Sequence, residues 1–275
     1  MPELHEIGGI IWSFENGVLT VGPASNGGPI PMERRTETMT VEAGPRWDEL
    51  VSEERERIVA EWAPWNALRG DVVEVRIGEG ITSLPKKAVS GMAKLKIVHL
   101  PGTLAQIEPW TFASCQNLES VEMHEGTKWI GERAFQGCKA LKGIALPSTV
   151  WAICDSAFSD CAALEEIALP QALREIGDFA FSGCAHLTSA VIPEGVTKIG
   201  RQAFFRCENL ATVSIPDSAA KIGHGAFSGC DSLQEATVPR RMGTQELNDV
   251  FGYYGSGKRV KYRRRSALSG LFGKK

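Results

Sequence analysis

Six cysteines recur at intervals of 23 residues: Cys115, Cys138, Cys161, Cys184, Cys207 and Cys230. No insertion or deletion breaks the series. A fixed period of this length means that the chain repeats one structural unit and that the fold is a stack of those units. A stack buries its core between neighbouring copies and displays one residue of each copy along every surface column. Such a chain holds partners on a surface more readily than it builds a single catalytic pocket.

The other columns keep the same phase. Around Cys138 the unit reads Leu118-x-x-Val121-x-Met123, then Thr127-x-x-Ile130-Gly131, then Ala134-Phe135-x-Gly137-Cys138. The first segment alternates apolar and polar residues over a few positions, which predicts a short half-buried strand. Pro147, Pro170, Pro193 and Pro216 end later copies of it, because proline cannot donate to a ladder. The Ile-Gly segment predicts inward residues on the opposite side of each coil, and Phe and Cys fill the corner. Counting back 23 from Cys115 reaches Met92, with Ile81, Leu84, Ala88, Val89 and Leu95 in phase. The array therefore runs from about Val72 to Pro239. It carries seven corner residues: Val89, Phe112, Phe135, Phe158, Phe181, Phe204 and Phe227.

The cysteines invite zinc, disulfide and packing readings. Zinc sites use clustered pairs such as Cys-x-x-Cys, and none occurs. Parallel side chains in a ladder have poor disulfide geometry. The expectation is six free thiols packed as small buried apolar groups. Cys154 stands apart, in the column of Gly131 and Gly177, and is the thiol expected to be exposed or strained.

At these residues the chain resembles the BspA-like leucine-rich repeat family, whose pattern reads roughly Leu-x-x-Val-x-Ile-Pro-x-x-Val-x-x-Ile-Gly-x-x-Ala-Phe-x-x-Cys. The resemblance covers about Val72 to Pro239. Trp12-Ser13-Phe14-Glu15-Asn16-Gly17-Val18-Leu19 resembles the β cap that often precedes such arrays. The resemblance implies a β-rich leucine-rich-repeat solenoid of about seven 23-residue coils, with a parallel sheet on one face and a small α+β N-terminal cap. It also implies binding or adhesion, often at a cell surface, and it brings no catalytic residues.

The expected organisation is an N-terminal cap over residues 1–71, the solenoid over 72–239, a C-terminal cap over 240–257 and a basic tail over 258–275. In the N-terminal cap, residues 9–22 read as a hairpin turning at Asn16-Gly17, 36–41 as a strand and 46–60 as a helix. In the C-terminal cap, Phe251, Tyr253 and Tyr254 are expected to pack on the last coil. The net charge of −3 hides an asymmetry, because the tail holds eight basic and no acidic residues, leaving 22 basic against 33 acidic elsewhere. Its first half contains Lys258, Arg259, Lys261, Arg263, Arg264 and Arg265. The readings of the tail are a solvated, disordered segment, an anchor for nucleic acid or anionic membrane, or a contact with the acidic body. The start of the sequence has no basic n-region and no signal-peptide core. With seven unpatterned cysteines this reads as cytoplasmic, whereas a trimmed chain or unconventional export restores a surface or secreted location.

Two surfaces are candidate partner sites. One is the column of outward strand residues Arg76, His99, Glu122, Ala145, Ala168 and Val191, charged at one end and small and smooth in the middle. The other is Trp110, Trp129 and Trp151, which stand where other copies place polar residues. They read either as an exposed interface cluster or as rings laid flat on neighbouring coils. The five histidines lie mostly in separate coils, and no phosphate loop or His-Glu-x-x-His occurs. The sequence assigns no catalytic, cofactor-binding or metal-ligating residue and no small-molecule substrate. It points to a non-catalytic module that presents its repeat surface to a protein partner.

Overall fold

The computed structural model describes residues 5–7, 10–23, 30–31, 67–252 and 260–264. Within 67–252 the chain winds as a solenoid. One face carries eight parallel strands, one per coil: β5 (Glu74–Ile77), β7 (Ile97–His99), β9 (Ser120–Glu122), β11 (Gly143–Ala145), β13 (Glu166–Ala168), β15 (Ser189–Val191), β17 (Thr212–Ser214) and β19 (Glu235–Val238). The paired strands keep a 23-residue register, as in Glu74↔Ile97, Gly143↔Glu166 and Thr212↔Glu235. The opposite side carries a second parallel sheet of β8 (Gln106–Ile107), β10 (Trp129–Ile130), β12 (Ala152–Ile153), β14 (Glu175–Ile176), β16 (Lys198–Ile199) and β18 (Lys221–Ile222).

Between the sheets lies a column of apolar side chains. Val75, Val98, Val121, Ile144, Ala190, Val213 and Ala236 point inward from the first face and are buried, with Ile167 partly so. At the corner the phenylalanine rings from Phe112 to Phe227 stack in one column, centroids 5.0–5.4 Å apart and planes within 16°. That separation follows from the strand spacing of ~4.8 Å, which fixes the distance between like residues of successive coils.

The cysteines have a specific place in this corner. Each thiol donates to a backbone carbonyl 26 residues earlier: Cys115 to Val89, Cys138 to Phe112, Cys161 to Phe135, Cys184 to Phe158, Cys207 to Phe181 and Cys230 to Phe204, at 3.1–3.3 Å. All seven cysteines are free. Burial raises the Cys115 thiol to about 11 and pushes those of Cys138, Cys161, Cys184 and Cys207 further up.

An eighth coil follows the seven that carry a corner residue in the sequence. Its strand, β19, has no corner motif of its own in the sequence. The corner is supplied by a helix, α1 (Thr244–Phe251), whose last turn offers carbonyls where the next coil would. Gly225 N donates to Asp249 O and Phe227 N to Val250 O, at 2.8 and 2.9 Å. Phe251 continues the aromatic column.

At the other end, β2 (Ile10–Glu15) and β3 (Val18–Pro23) form the expected hairpin, with Glu15↔Val18 flanking the turn. Asn16 and Gly17 both have positive φ, 50° and 84°, the geometry that lets a two-residue turn follow the strand twist. β3 adds in parallel to β5, so the hairpin extends the solenoid sheet and buries Leu19 and Val21 on its end. An additional strand, β1 (His5–Ile7), pairs with β2, and β4 (Ile30–Pro31) pairs with β6 (Ile81–Ser83). The strand expected over 36–41, the helix over 46–60, Tyr253 and Tyr254 lie outside the described residues.

The basic segment departs from the expectation of a solvated tail. Lys261–Arg264 form β20, which adds in parallel to β19 with the pairs Glu235↔Lys261, Ala236↔Tyr262, Thr237↔Arg263 and Val238↔Arg264. The physical reason is the alternation Val260-Lys261-Tyr262-Arg263, which places Tyr262 in the inward row against Phe251, edge to face at 5.3 Å. Lys258, Arg259 and Arg265 lie outside the described residues.

Candidate functional site

The outward strand residues form two columns along the first face, as their alternation requires. At the N-terminal end they make a charged network across three coils. Arg76 Nε donates to Glu74 Oε1 at 2.5 Å, His99 Nε2 lies 3.0 Å from the same oxygen, and His99 Nδ1 lies 2.6 Å from Glu122 Oε2. The hydrogen bond from Arg76 is the main cause holding the Glu74 carboxyl below its usual range; burial opposes it, and the Arg76 charge and the His99 ring lower it further. The network ties these coils together as well as charging the surface, so Arg76, His99 and Glu122 are partly spoken for by one another.

The middle of the face has a different character. Ala145 and Ala168 sit in register on β11 and β13, and Val191 follows on β15. All three are exposed, and Val191 shows 69% of its surface, more than any other large apolar residue described. In the neighbouring column Gly143 and Ser189 are small, and the exposed Glu166 stands between them. Exposed valine costs hydration without contributing to the core. At the C-terminal end Lys261 and Arg263 of β20 align with the outward residues Glu235 and Thr237, and Arg263 pairs with Glu235. The face thus runs from a charged network, through a column of small apolar residues flanked by Glu166, to a cationic edge.

The three tryptophans are not assembled into one patch. The Trp129 indole N–H donates to Gln106 Oε1 at 2.6 Å, and the ring is half-buried. Trp110 sits at a corner with φ 64° and is also half-buried, with the Arg133 guanidinium 4.4 Å and the Lys87 ammonium 5.6 Å from the ring centre. Only Trp151 is exposed, at 47%, just before β12. Among the described residues no ring contact joins any two of them.

Cys154 is the least buried of the seven cysteines. It is half-buried, and burial first, then the carboxylates of Asp155, Glu175 and Glu132, raise its thiol to about 11. A thiol held so high carries little thiolate at neutral pH, so it is a poor nucleophile.

A cleft of about 1360 Å³ opens between α1 and the last corners, lined by Arg206, His224, Ser228, Glu246 and Asp249 among others. His224 Nδ1 lies 2.6 Å from Asp249 Oδ1, which latches α1 to the last coil. Ser228 makes no side-chain hydrogen bond to that ring among the described residues, and the His224 side chain is 74% exposed. Among the described residues no three His, Cys, Asp or Glu side chains are grouped to hold a metal ion.

Sequence reasoning had no access to α1 as a corner or to the alignment of Lys261 and Arg263 with the face. The signal for the second was the Val260–Arg263 alternation, which lies 26 rather than 23 residues beyond β19 because α1 intervenes.

The sequence profile of the BspA type leucine rich repeat region matches the chain in six copies, over residues 69–187 and 128–253. Among solved structures, the T. pallidum leucine rich repeat protein is 28% identical, with 68% of this chain and 86% of that chain covered and a TM-score of 0.49. A leucine-rich repeat protein from Bacteroides ovatus is 20% identical over 97% of this chain and 80% of its own, with a TM-score of 0.47. One from Eubacterium ventriosum is 20% identical over 88% and 75%, with a TM-score of 0.45. No curated protein matches the chain by sequence.

Proposed function

The chain belongs to the BspA-type leucine-rich repeat family, and on that premise we propose that it is a non-catalytic protein-interaction module whose working surface is the outward face of its parallel sheet. The observation that carries this reading is the outward apolar column in the middle of that face. Ala145, Ala168 and Val191 stand outward on adjacent strands with Val191 69% exposed, while every coil has ample buried positions for an apolar side chain. Small side chains on a regular sheet leave a flat surface that an extended or flat protein partner can approach closely, and the charged network at one end gives it a polar rim.

The test is partner capture with the full chain carrying Ala168→Arg and Val191→Arg together. Both side chains point to solvent, so the thermal midpoint stays unchanged while capture by cross-linking falls at least about tenfold, the usual consequence of a charge buried unpaired in an interface. Unchanged capture, or capture lost only on Trp151→Gln, moves the surface to the second sheet and overturns the reading.

A further inference from the structure

We propose that the free edge of β20 is a docking site for an extended peptide that alternates acidic and apolar residues, which adds to the solenoid sheet as a further parallel or antiparallel strand. Three observations lead to it. First, β20 ends the hydrogen-bonded series β15-β17-β19-β20, and among the described residues no strand pairs with its far side. One side of a strand so placed presents main-chain donors and acceptors, and extended peptides exploit such edges by completing the ladder. Second, the two faces of β20 differ. Lys261 and Arg263 stand in the outward columns, in register with Glu235 and Thr237, while Tyr262 stands in the inward row, in register with Ala236. Third, the inward row is left open. Tyr262 closes the aromatic column against Phe251 yet remains 42% exposed.

The chemistry of the occupant follows from this geometry. Successive residues of an added strand point to opposite faces. Carboxylates at every second position would lie beside Lys261 and Arg263, where cross-strand opposite charges stabilise pairing. The Lys261 side chain has no ion pair among the described residues, and Arg263 uses only Nε toward Glu235. The intervening apolar residues would cover Tyr262 and prolong the core by one rung. The run Lys258–Arg265 holds six basic residues and no acidic one, which selects an anionic partner over a neutral one. A nucleic acid or an anionic membrane would meet the charge alone, using neither the main-chain edge nor the inward row.

The experiment uses the full chain and a capped decapeptide alternating Glu and Val as probe. Binding is expected to weaken at least about tenfold when alternate probe amides are N-methylated, because the edge hydrogen bonds are lost. A similar loss is expected when Lys replaces Glu in the probe and in the Lys261→Gln/Arg263→Gln chain. Lys261→Gln alone, which disturbs no ion pair among the described residues, is expected to lose about threefold at low salt and less at high salt. No probe binding up to about millimolar concentration overturns the proposal. So does equal binding of the N-methylated probe, or tighter binding of a single-stranded oligonucleotide or phosphatidylserine vesicles at the same salt. The site is separate from the Ala145, Ala168 and Val191 column. Probe binding lost in Lys261→Gln/Arg263→Gln leaves capture through Val191 intact, and the two readings fail independently.

Discussion

The ring of Phe251 stacks on that of Phe227 with centroids 5.4 Å apart and planes 22° apart, so a helix residue takes the place that a next coil's corner would fill. The contact is slightly longer and more tilted than the Phe204–Phe227 pair, at 5.0 Å and 7°. An unstacked Phe227 would expose the end of the core, and end units of a solenoid depend on a terminating element. Phe251→Ala is expected to destabilise the chain by about 3 kcal/mol in chemical denaturation. Hydrogen exchange should rise first in the coil of Phe227, and an evenly spread rise would contradict a capping role.

The thiol ladder predicts silence toward thiol reagents. With six buried thiols raised by burial or held in hydrogen bonds, and Cys154 raised to about 11, a disulfide reagent at pH 7.5 should modify none of them rapidly in the folded state and all seven after unfolding. A fast-reacting equivalent would mean that a corner opens at equilibrium.

Glycines in the column after the second sheet predict a sharp contrast. A Cβ on Gly177 would lie 2.5 Å from the backbone N of Asp155, whereas one on Gly143 would approach nothing nearer than 4.0 Å. Gly177→Ala therefore forces two coils apart and should cost about 2–3 kcal/mol. Gly143→Ala should change stability by less than about 0.5 kcal/mol. Thermal melts of the two variants side by side decide it.

Acid should loosen the N-terminal coils. The Glu74 carboxyl is held below its ordinary value of 4.5. A carboxylate depressed on folding contributes stability that is present above its unfolded value and lost as pH falls through its folded one. The thermal midpoint of Glu74→Gln should lie below that of the unchanged chain at pH 6, and the gap should close as the pH approaches 3. A gap that persists at pH 3 would show that the side chain acts through packing instead.

The periodic part of the molecule was legible because every column repeats. Strand positions, inward and outward rows and the corner followed from the spacing around Cys138, and Asn16-Gly17 marked its hairpin. What escaped was aperiodic. The eighth corner is closed by α1, whose Phe251 carries no corner motif around it. β20 reaches the sheet after an irregular interval. The surroundings of the tryptophans escaped for a related reason. Their columns are visible in sequence, but the partners that half-cover Trp110 and Trp129, Arg133 and Gln106, depend on side-chain reach between coils.

The unbroken 23-residue register makes molecular length an adjustable quantity. Each interior coil offers the same carbonyl to the thiol above it and the same ring to the ring above it, from Phe112 to Phe204. Excising one interior interval of 23 residues would bring together two surfaces already matched to each other, shortening the rod by about 4.8 Å without altering either end. Copy number can therefore drift between related chains as a ruler with movable marks, while the hairpin and α1 stay fixed as its stops.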